Sequence, residues 1–213
     1  MKNRAIIFVN GDLPNPAAAK KLLAADDFIL AVDGGTRHAL DLGLIPSVVI
    51  GDLDSLDAAN RRVLEWEGVE IIRYPTDKNE TDLELALDYL AERGYERILL
   101  IAALGGRLDQ TLGNLALLTA ESRAGLDIRL DDGVEEVFFV RNQAQIHGRS
   151  GEIVSLIPWG AAVTGIRTEG LRWQLSAETL YPQKTRGISN EMTGDLAKIR
   201  LESGLLLVIH QHF

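Results

Sequence analysis

The chain has 213 residues, 46% of them hydrophobic and 25% charged, which is enough apolar material for one large or two small domains. Its 22 Lys and Arg against 31 Asp and Glu give a net charge of −9, which disfavours nonspecific nucleic-acid binding, and no apolar run approaches the ~18 residues of a membrane span. Cysteine is absent, so disulfides, thiolate metal sites and cysteine nucleophiles are excluded, and a reducing, cytoplasmic setting is expected.

The first 133 residues alternate strand and helix signals. "MKNRAIIFVNGD" opens with basic residues, but its apolar run is too short for a signal peptide and reads as a first strand ending in turn residues. "PAAAKKLLAADD" has helical composition, and then come the strand "FILAVDGG", the helix "TRHALDLGL" and the strand "SVVIGDLDS". "DAANRRVLEWEG" reads as a helix with a glycine stop, followed by the strand "VEIIRYP". In "ETDLELALDYLAERG" Leu83, Ala86, Leu87 and Leu90 share one helical face, and Thr81 with Glu84 makes a capping box. The strand "RILLIAAL", the helix "LDQTLGNLALLTAESRAG" and the strand "DIRLDD" complete the series. Continuous apolar strands alternating with helices predict an α/β unit, a mostly parallel sheet with helices on both faces.

Beyond residue 133 the pattern changes to short strand signals separated by turns: "EEVFFVRN", "AQIHG", "EIVSLIPWG", "AAVTGIRTEG", "AKIRLESG" and "LLLVIHQHF". These predict a smaller C-terminal antiparallel β-sandwich, so the expected domains are 1–133 and 134–213. Trp159, between Pro158 and Gly160, is expected to pack. No partner pattern is visible for His38 or His147, and the alternating His210 and His212 are expected on a surface strand face.

Ligands of open parallel sheets bind outside the carboxyl ends of the strands. Four polar clusters fall there: "DGG" at 33–35, "GDLDS" at 51–55, "TDKNETD" at 76–82 and "GGRLDQ" at 105–110. Asp33, Asp52, Asp54, Asp82 and Asp109 are thereby expected to converge on one edge. Carboxylates so gathered raise one another's pKa unless a cation neutralises them, and hard oxygen donors suit Mg²⁺. Arg107 and Lys78 supply local positive charge for phosphate oxygens. Taken singly, each acid fits a turn or helix cap equally well, and Asp82 suits a helix N-terminus without any further role. Ser55 is expected to shape a turn and Asp57 to cap the next helix. Neither a dinucleotide fingerprint nor a P-loop is present.

In order and in rough spacing, these motifs resemble the thiamine pyrophosphokinase family. The resemblance rests on "DGG", "GDLDS", "TD" at 81–82 and "GGRLDQTLGN" at 105–114, and continues in "GLRWQL" at 170–175 and "GISNEM" at 187–192. It implies transfer of the pyrophosphoryl group of ATP to the hydroxyethyl oxygen of thiamine, with release of AMP, by a homodimer whose thiamine sites draw on both subunits. It also implies a catalytic ATP- and magnesium-binding first domain and a thiamine-binding second one. Asp52, Asp54 and Asp82 match the family's magnesium positions. Arg107 and Lys78 are then phosphate ligands, Asp109 or Asp52 is the proton acceptor, and Asp33 with Gly34 and Gly35 orients substrate. Gln110 stands where many bacterial relatives carry His. Trp173 is placed to stack on the thiamine rings, with Ser189 and Asn190 toward the aminopyrimidine edge. Two other readings are a noncatalytic thiamine or nucleotide sensor and a glycosyltransferase using "DLD" as a D-x-D motif; the latter leaves "GGRLDQ" and "GISNEM" without a role.

Overall fold

A computed structural model of the chain describes residues 4–51, 56, 58–75 and 77–212. The chain divides into two compact units, Met1–Gly133 and Val134–Phe213.

In the first unit, strands β1 (Ala5–Phe8), β2 (Phe28–Val32), β3 (Val48–Ile50), β4 (Glu70–Ile72), β5 (Arg97–Ile101) and β6 (Asp127–Asp131) alternate with helices α1 (Pro16–Lys21), α2 (Gly35–Asp41), α3 (Ala58–Trp66), α4 (Asp82–Glu92) and α5 (Leu108–Leu117). Every strand pair among these is parallel, in the order β6-β5-β1-β2-β3-β4. Both faces of the sheet are covered, as continuous apolar strands require. On one face Ile6, Phe8, Ala31, Val49 and Ile101 cluster with Ala19, Ala39, Leu42 and Leu64 from α1, α2 and α3. The alternate residues Ile7, Leu30, Ile50 and Leu100 are equally buried, and α4 packs on β2 and β3 through Leu83, Ala86, Leu87 and Leu90.

Local chemistry sets the ends of these elements. Asn15 caps α1 by accepting from Ala18 N at 3.1 Å, with Pro16 at the first helical position. Thr81 caps α4, its hydroxyl accepting from Glu84 N at 3.2 Å, as the T-x-x-E spacing predicts. The last helix is shorter than its composition suggests: α5 ends at Leu117, and Glu121–Arg123 forms a separate 3₁₀ turn.

The second unit is a two-sheet antiparallel sandwich. One sheet runs β12 (Asn190–Glu191), β9 (Ile153–Pro158), β14 (Leu206–Gln211), β7 (Glu135–Val140). The other runs β11 (Ser176–Leu180), β10 (Val163–Glu169), β13 (Leu196–Arg200), β8 (Gln143–His147). Their inner faces share a core of Phe138, Val140, Ile146, Val154, Leu156, Ile166, Ile199 and Val208. Trp159 packs edge-on against Phe139 at 5.3 Å between ring centroids, as expected of a packing residue. The fold class predicted from the pattern is the one observed. Among the described residues no helix is long and apolar enough to cross a membrane.

Candidate active site

Strand order fixes where a ligand can enter the first unit. Going outward from β1, the chain adds β2, β3 and β4 on one side but β5 and β6 on the other. The order therefore reverses between β1 and β5, and in open parallel sheets the carboxyl ends at such a reversal are where ligands bind. Asn10-Gly11-Asp12 after β1 and Ala102–Arg107 after β5 flank this point. Gly11 N donates to Ala102 O at 2.7 Å, and Asp12 N donates to Leu104 O at 2.8 Å. Asp12 Oδ2 in turn accepts from Gly106 N at 2.9 Å. Gly105, at φ +79°, passes so close to the Asp12 carboxylate that any side chain there would collide with it. Asp12 thus ties down the loop that carries Arg107. The sequence reading noted turn residues after the first strand but assigned Asn10 and Asp12 no role.

The neighbouring strand ends are packed as tightly. Asp33 sits at φ 43°, a strained conformation for a residue with a side chain, and its N–H donates to Ile50 O at 3.0 Å. A Cβ at Gly51 would overlap Asp33 Oδ1, and one at Gly34 would lie 2.5 Å from Asn10 Cγ. The glycines of "DGG" and "GDLDS" therefore let adjacent strand ends meet without side chains between them. His38, for which no partner was expected, places Nε2 3.0 Å from the Gly11 carbonyl; because a carbonyl only accepts, Nε2 carries the proton.

The two cations singled out from sequence are both engaged with acids. Lys78 forms an i,i+4 ion pair with Asp82 in the first turn of α4, and its ammonium lies 5.3 Å from the Tyr74 ring centroid. Arg107, at the N-cap position of α5, grips Asp109 with Nε to Oδ1 at 3.1 Å and Nη2 to Oδ2 at 2.6 Å. That second pair is exposed, the side chains retaining 72% and 66% of their accessible surface. The hydrogen bonds from Arg107 hold the Asp109 carboxyl below its ordinary value, and the same bonds push the Arg107 guanidinium up. Replacing Arg107 with Gln is expected to let the Asp109 pKa climb back, readable by NMR titration of its carboxyl carbon. A depressed folded-state pKa stabilises only above the unfolded carboxyl pKa, and that contribution fades as pH falls through the folded value. Solvent screening keeps it small here. Gln110 is exposed, its N–H donating to Asp109 Oδ1 at 3.0 Å.

Among the described residues Asp33, Asp82 and Asp109 do not form a cluster of donors at metal-binding separation. Asp52, Asp54, Ser55 and Asp57 lie outside the described residues.

In the second unit, Trp173, Leu175, Thr185, Arg186, Gly187, Ile188 and Asn190 line a pocket of about 400 Å³. The Trp173 indole stands 54% exposed at this pocket. Asn190 lines this pocket, is 3% exposed, and has its amide engaged with backbone. Its Oδ1 accepts from Trp173 N at 3.0 Å and from Glu191 N at 2.9 Å, while its Nδ2 donates to Trp173 O at 2.8 Å. The amide therefore clamps the backbone that presents the indole, instead of offering a free edge. Beside it, Arg172 lies 5.0 Å from the Trp173 ring centroid and pairs with Glu191 at 2.9 Å. Ser189 is exposed at φ 57°, its N–H donating to Ser155 Oγ at 3.0 Å.

Comparison with known proteins matches both units to one family. Residues 19–130 match the family described as thiamin pyrophosphokinase, catalytic domain, and residues 141–206 match thiamin pyrophosphokinase, vitamin B1 binding domain. The thiamine pyrophosphokinase of Bacillus subtilis (strain 168) is 30% identical over 182 residues, covering 84% of this chain and 85% of that protein. A crystal structure of the B. subtilis enzyme superposes with a TM-score of 0.89 at 25% identity, over 99% of this chain and 100% of that one. For the thiamin pyrophosphokinase from Geobacillus thermodenitrificans the TM-score is 0.87 at 26% identity, over 99% and 98%. The chain belongs to the thiamine pyrophosphokinase family.

Proposed function

We propose that the protein transfers the pyrophosphoryl group of ATP to the hydroxyethyl oxygen of thiamine, giving thiamine diphosphate and AMP. The observation that carries this reading is the reversal of strand order between β1 and β5, where the Asp12-anchored loop leads to Arg107 at the head of α5. The thiamine oxygen attacks the β phosphorus, the bond from that phosphorus to the α,β-bridging oxygen breaks, and AMP leaves with the bonding pair. Such a transfer asks the protein for alignment and neutralised charge more than for covalent chemistry.

The donor set fits magnesium: Asp52, Asp54 and Asp82 are hard oxygen ligands with no imidazole or thiolate among them. Bound there, Mg²⁺ supplies charge neutralisation for the triphosphate. Lys78 and Arg107 exchange their carboxylate partners for phosphate oxygens. The hydroxyl proton passes to Asp52 or Asp109. While Arg107 holds Asp109, that carboxylate is a poor base; once the guanidinium turns to phosphate, its basicity returns. Phosphate binding and readiness for proton transfer are linked in this way. Asp33, Gly34, Gly35 and Gln110 complete the nucleotide side. The first unit, 1–133, is then the catalytic domain and the second, 134–213, the thiamine-binding domain. The active species is a cytoplasmic homodimer whose thiamine sites take residues from both subunits; this rests on the family resemblance.

Thiamine is flat and cationic, and the exposed Trp173 indole offers a face to it, with Ser189 beside the pyrimidine and Asn190 fixing the indole's backbone. Cation–π attraction of about 0.5–2 kcal/mol corresponds to roughly 2- to 30-fold in affinity. Incubation with ATP, Mg²⁺ and thiamine is expected to release AMP, and Trp173→Ala is expected to raise the thiamine KM within that range while kcat changes less. Release of ADP or inorganic phosphate alone would sink the pyrophosphokinase reading. An unchanged KM would remove Trp173 from the thiamine site.

A further inference from the structure

We propose that His210, His212 and Glu152 form a binding site for a borderline divalent cation of the zinc class, within the second unit and separate from the acidic magnesium set. The strand alternation of β14 places His210 on the same face as Leu206 and Val208, which belong to the sandwich core, and His212 follows just past the strand's end. His210 is therefore fully buried, contrary to the surface face expected from its polarity. The register pairs Gln211 with Ile153 of β9, so Glu152, itself 3% exposed, arrives at the level of His212. Ligand atoms of the three side chains all lie within 4.8 Å of one another.

His210 lies between two carboxylates. Nε2 points at Glu152 Oε2, 2.8 Å away. On the other side of the ring, Nδ1 makes no hydrogen bond among the described residues and faces the Glu136 carboxylate at 3.7 Å. A ligating imidazole commonly turns its second N–H toward a carboxylate, which fixes the tautomer and leaves the other nitrogen's lone pair for the metal. The pairing of His210 with Glu136 across β14 and β7 puts a carboxylate on that side of the ring, 3.7 Å away, and a small shift of the imidazole toward it forms that bond. Two imidazoles with one carboxylate favour zinc, cobalt or nickel over magnesium. Tetrahedral ligation at about 2.0–2.1 Å sets donors roughly 3.3 Å apart, so the 2.8 Å contact has to widen by about half an ångström.

Glycine at 148 is what allows the donors to converge. A Cβ there would overlap Glu152 Oε2 and lie 2.8 Å from both His210 Nε2 and Met192 Sδ. Glu152 Oε2 accepts from Arg149 N at 2.9 Å and lies 2.8 Å from His210 Nε2, so a divalent ion at this point takes over the contact with the imidazole while the backbone hydrogen bond holds the carboxylate in place.

The test uses the full chain, stripped with a chelator, dialysed against Zn²⁺ in the presence of excess Mg²⁺, washed, and assayed for bound metal by mass spectrometry. One zinc per chain is expected for the parent, for Asp82→Asn, and for His147→Ala as an exposed-histidine control. His212→Ala and His212→Gln are expected to lose at least nine-tenths of it. Since His212 is only partly buried, both variants are expected to fold, and circular dichroism verifies this. Cobalt substitution should give a visible d–d band in the parent that His212→Ala abolishes. A parent chain without stoichiometric zinc, or a His212→Ala chain that binds as much as the parent, overturns the proposal.

Discussion

Asp82→Asn is expected to lower kcat/KM about 1,000-fold, the equivalent of losing roughly 4 kcal/mol of transition-state stabilisation. Two effects combine. The substitution removes one hard oxygen donor from the proposed magnesium set, and it releases Lys78 from its ion pair at the head of α4. The second effect is partly compensatory, because an unpaired ammonium binds phosphate more readily, so nucleotide affinity should fall less than turnover. Steady-state kinetics with varied Mg²⁺, together with calorimetry for thiamine, separates the two. Thiamine binding should persist while turnover collapses and the magnesium requirement rises. A variant with activity within threefold of the parent would remove Asp82 from the chemistry and leave it as an ordinary helix N-terminal acid.

Gly35→Ala is expected to destabilise the first unit by about 2–3 kcal/mol, lowering the melting temperature by roughly 5–10 °C. The cause is not backbone conformation but proximity. A Cβ at Gly35 would lie 2.5 Å from the Phe8 carbonyl carbon and 2.8 Å from Val9 N, both backbone atoms of a strand end held in the sheet. Neither can rotate aside as a side chain would, so α2 has to lift from β1. The control is Gly113→Ala in α5, where among the described residues nothing beyond its own helix lies within 4 Å of the added methyl. There alanine's helix propensity should stabilise by about 0.5–1 kcal/mol. Thermal denaturation of both variants checks the contrast, and an equal shift for the two would refute the close-approach argument.

Much of the fold was legible because its signals are local. The uninterrupted apolar strands, the T-x-x-E cap of α4 and the change to short alternating strands after residue 133 each depend on a few consecutive residues. β11 and the two-residue β12 are the strands that the pattern does not show: Ser176–Leu180 has no apolar alternation, since as an edge strand it buries little, and Asn190–Glu191 is too short to carry a period. Strand order is a different kind of property. No local pattern states that β1 lies between β2 and β5, and the roles of Asp12 and the Gly11–Ala102 hydrogen bond follow from that order.

For the site, residue types were readable and their engagements were not. Sequence spacing shows that Arg107 and Asp109 share a loop, but not that they form a two-point pair that depresses the acid's pKa. Asn190 looked like a ligand group because it is polar, and the structure spends both ends of its amide on the Trp173 backbone. His210 shows the opposite bias. Its period-two position on β14 already placed it with Leu206 and Val208, but its polarity argued for the surface.

The central position of β1 also bears on how the protein is made. Translation delivers β1 before its partners, and the run β1-β2-β3-β4 can form once residue 72 has left the ribosome. Its other edge waits for β5, whose partner residues begin at Ile98, and the Asp12 carboxylate waits for the N–H of Gly106. Until then a nascent chain carries an unpaired apolar edge, Ala5 to Phe8, exposed to other chains. The loop contacts at the β1–β5 switch point and the burial of that edge are completed by the same late docking event, so a chain that has assembled the proposed nucleotide side has also covered this edge.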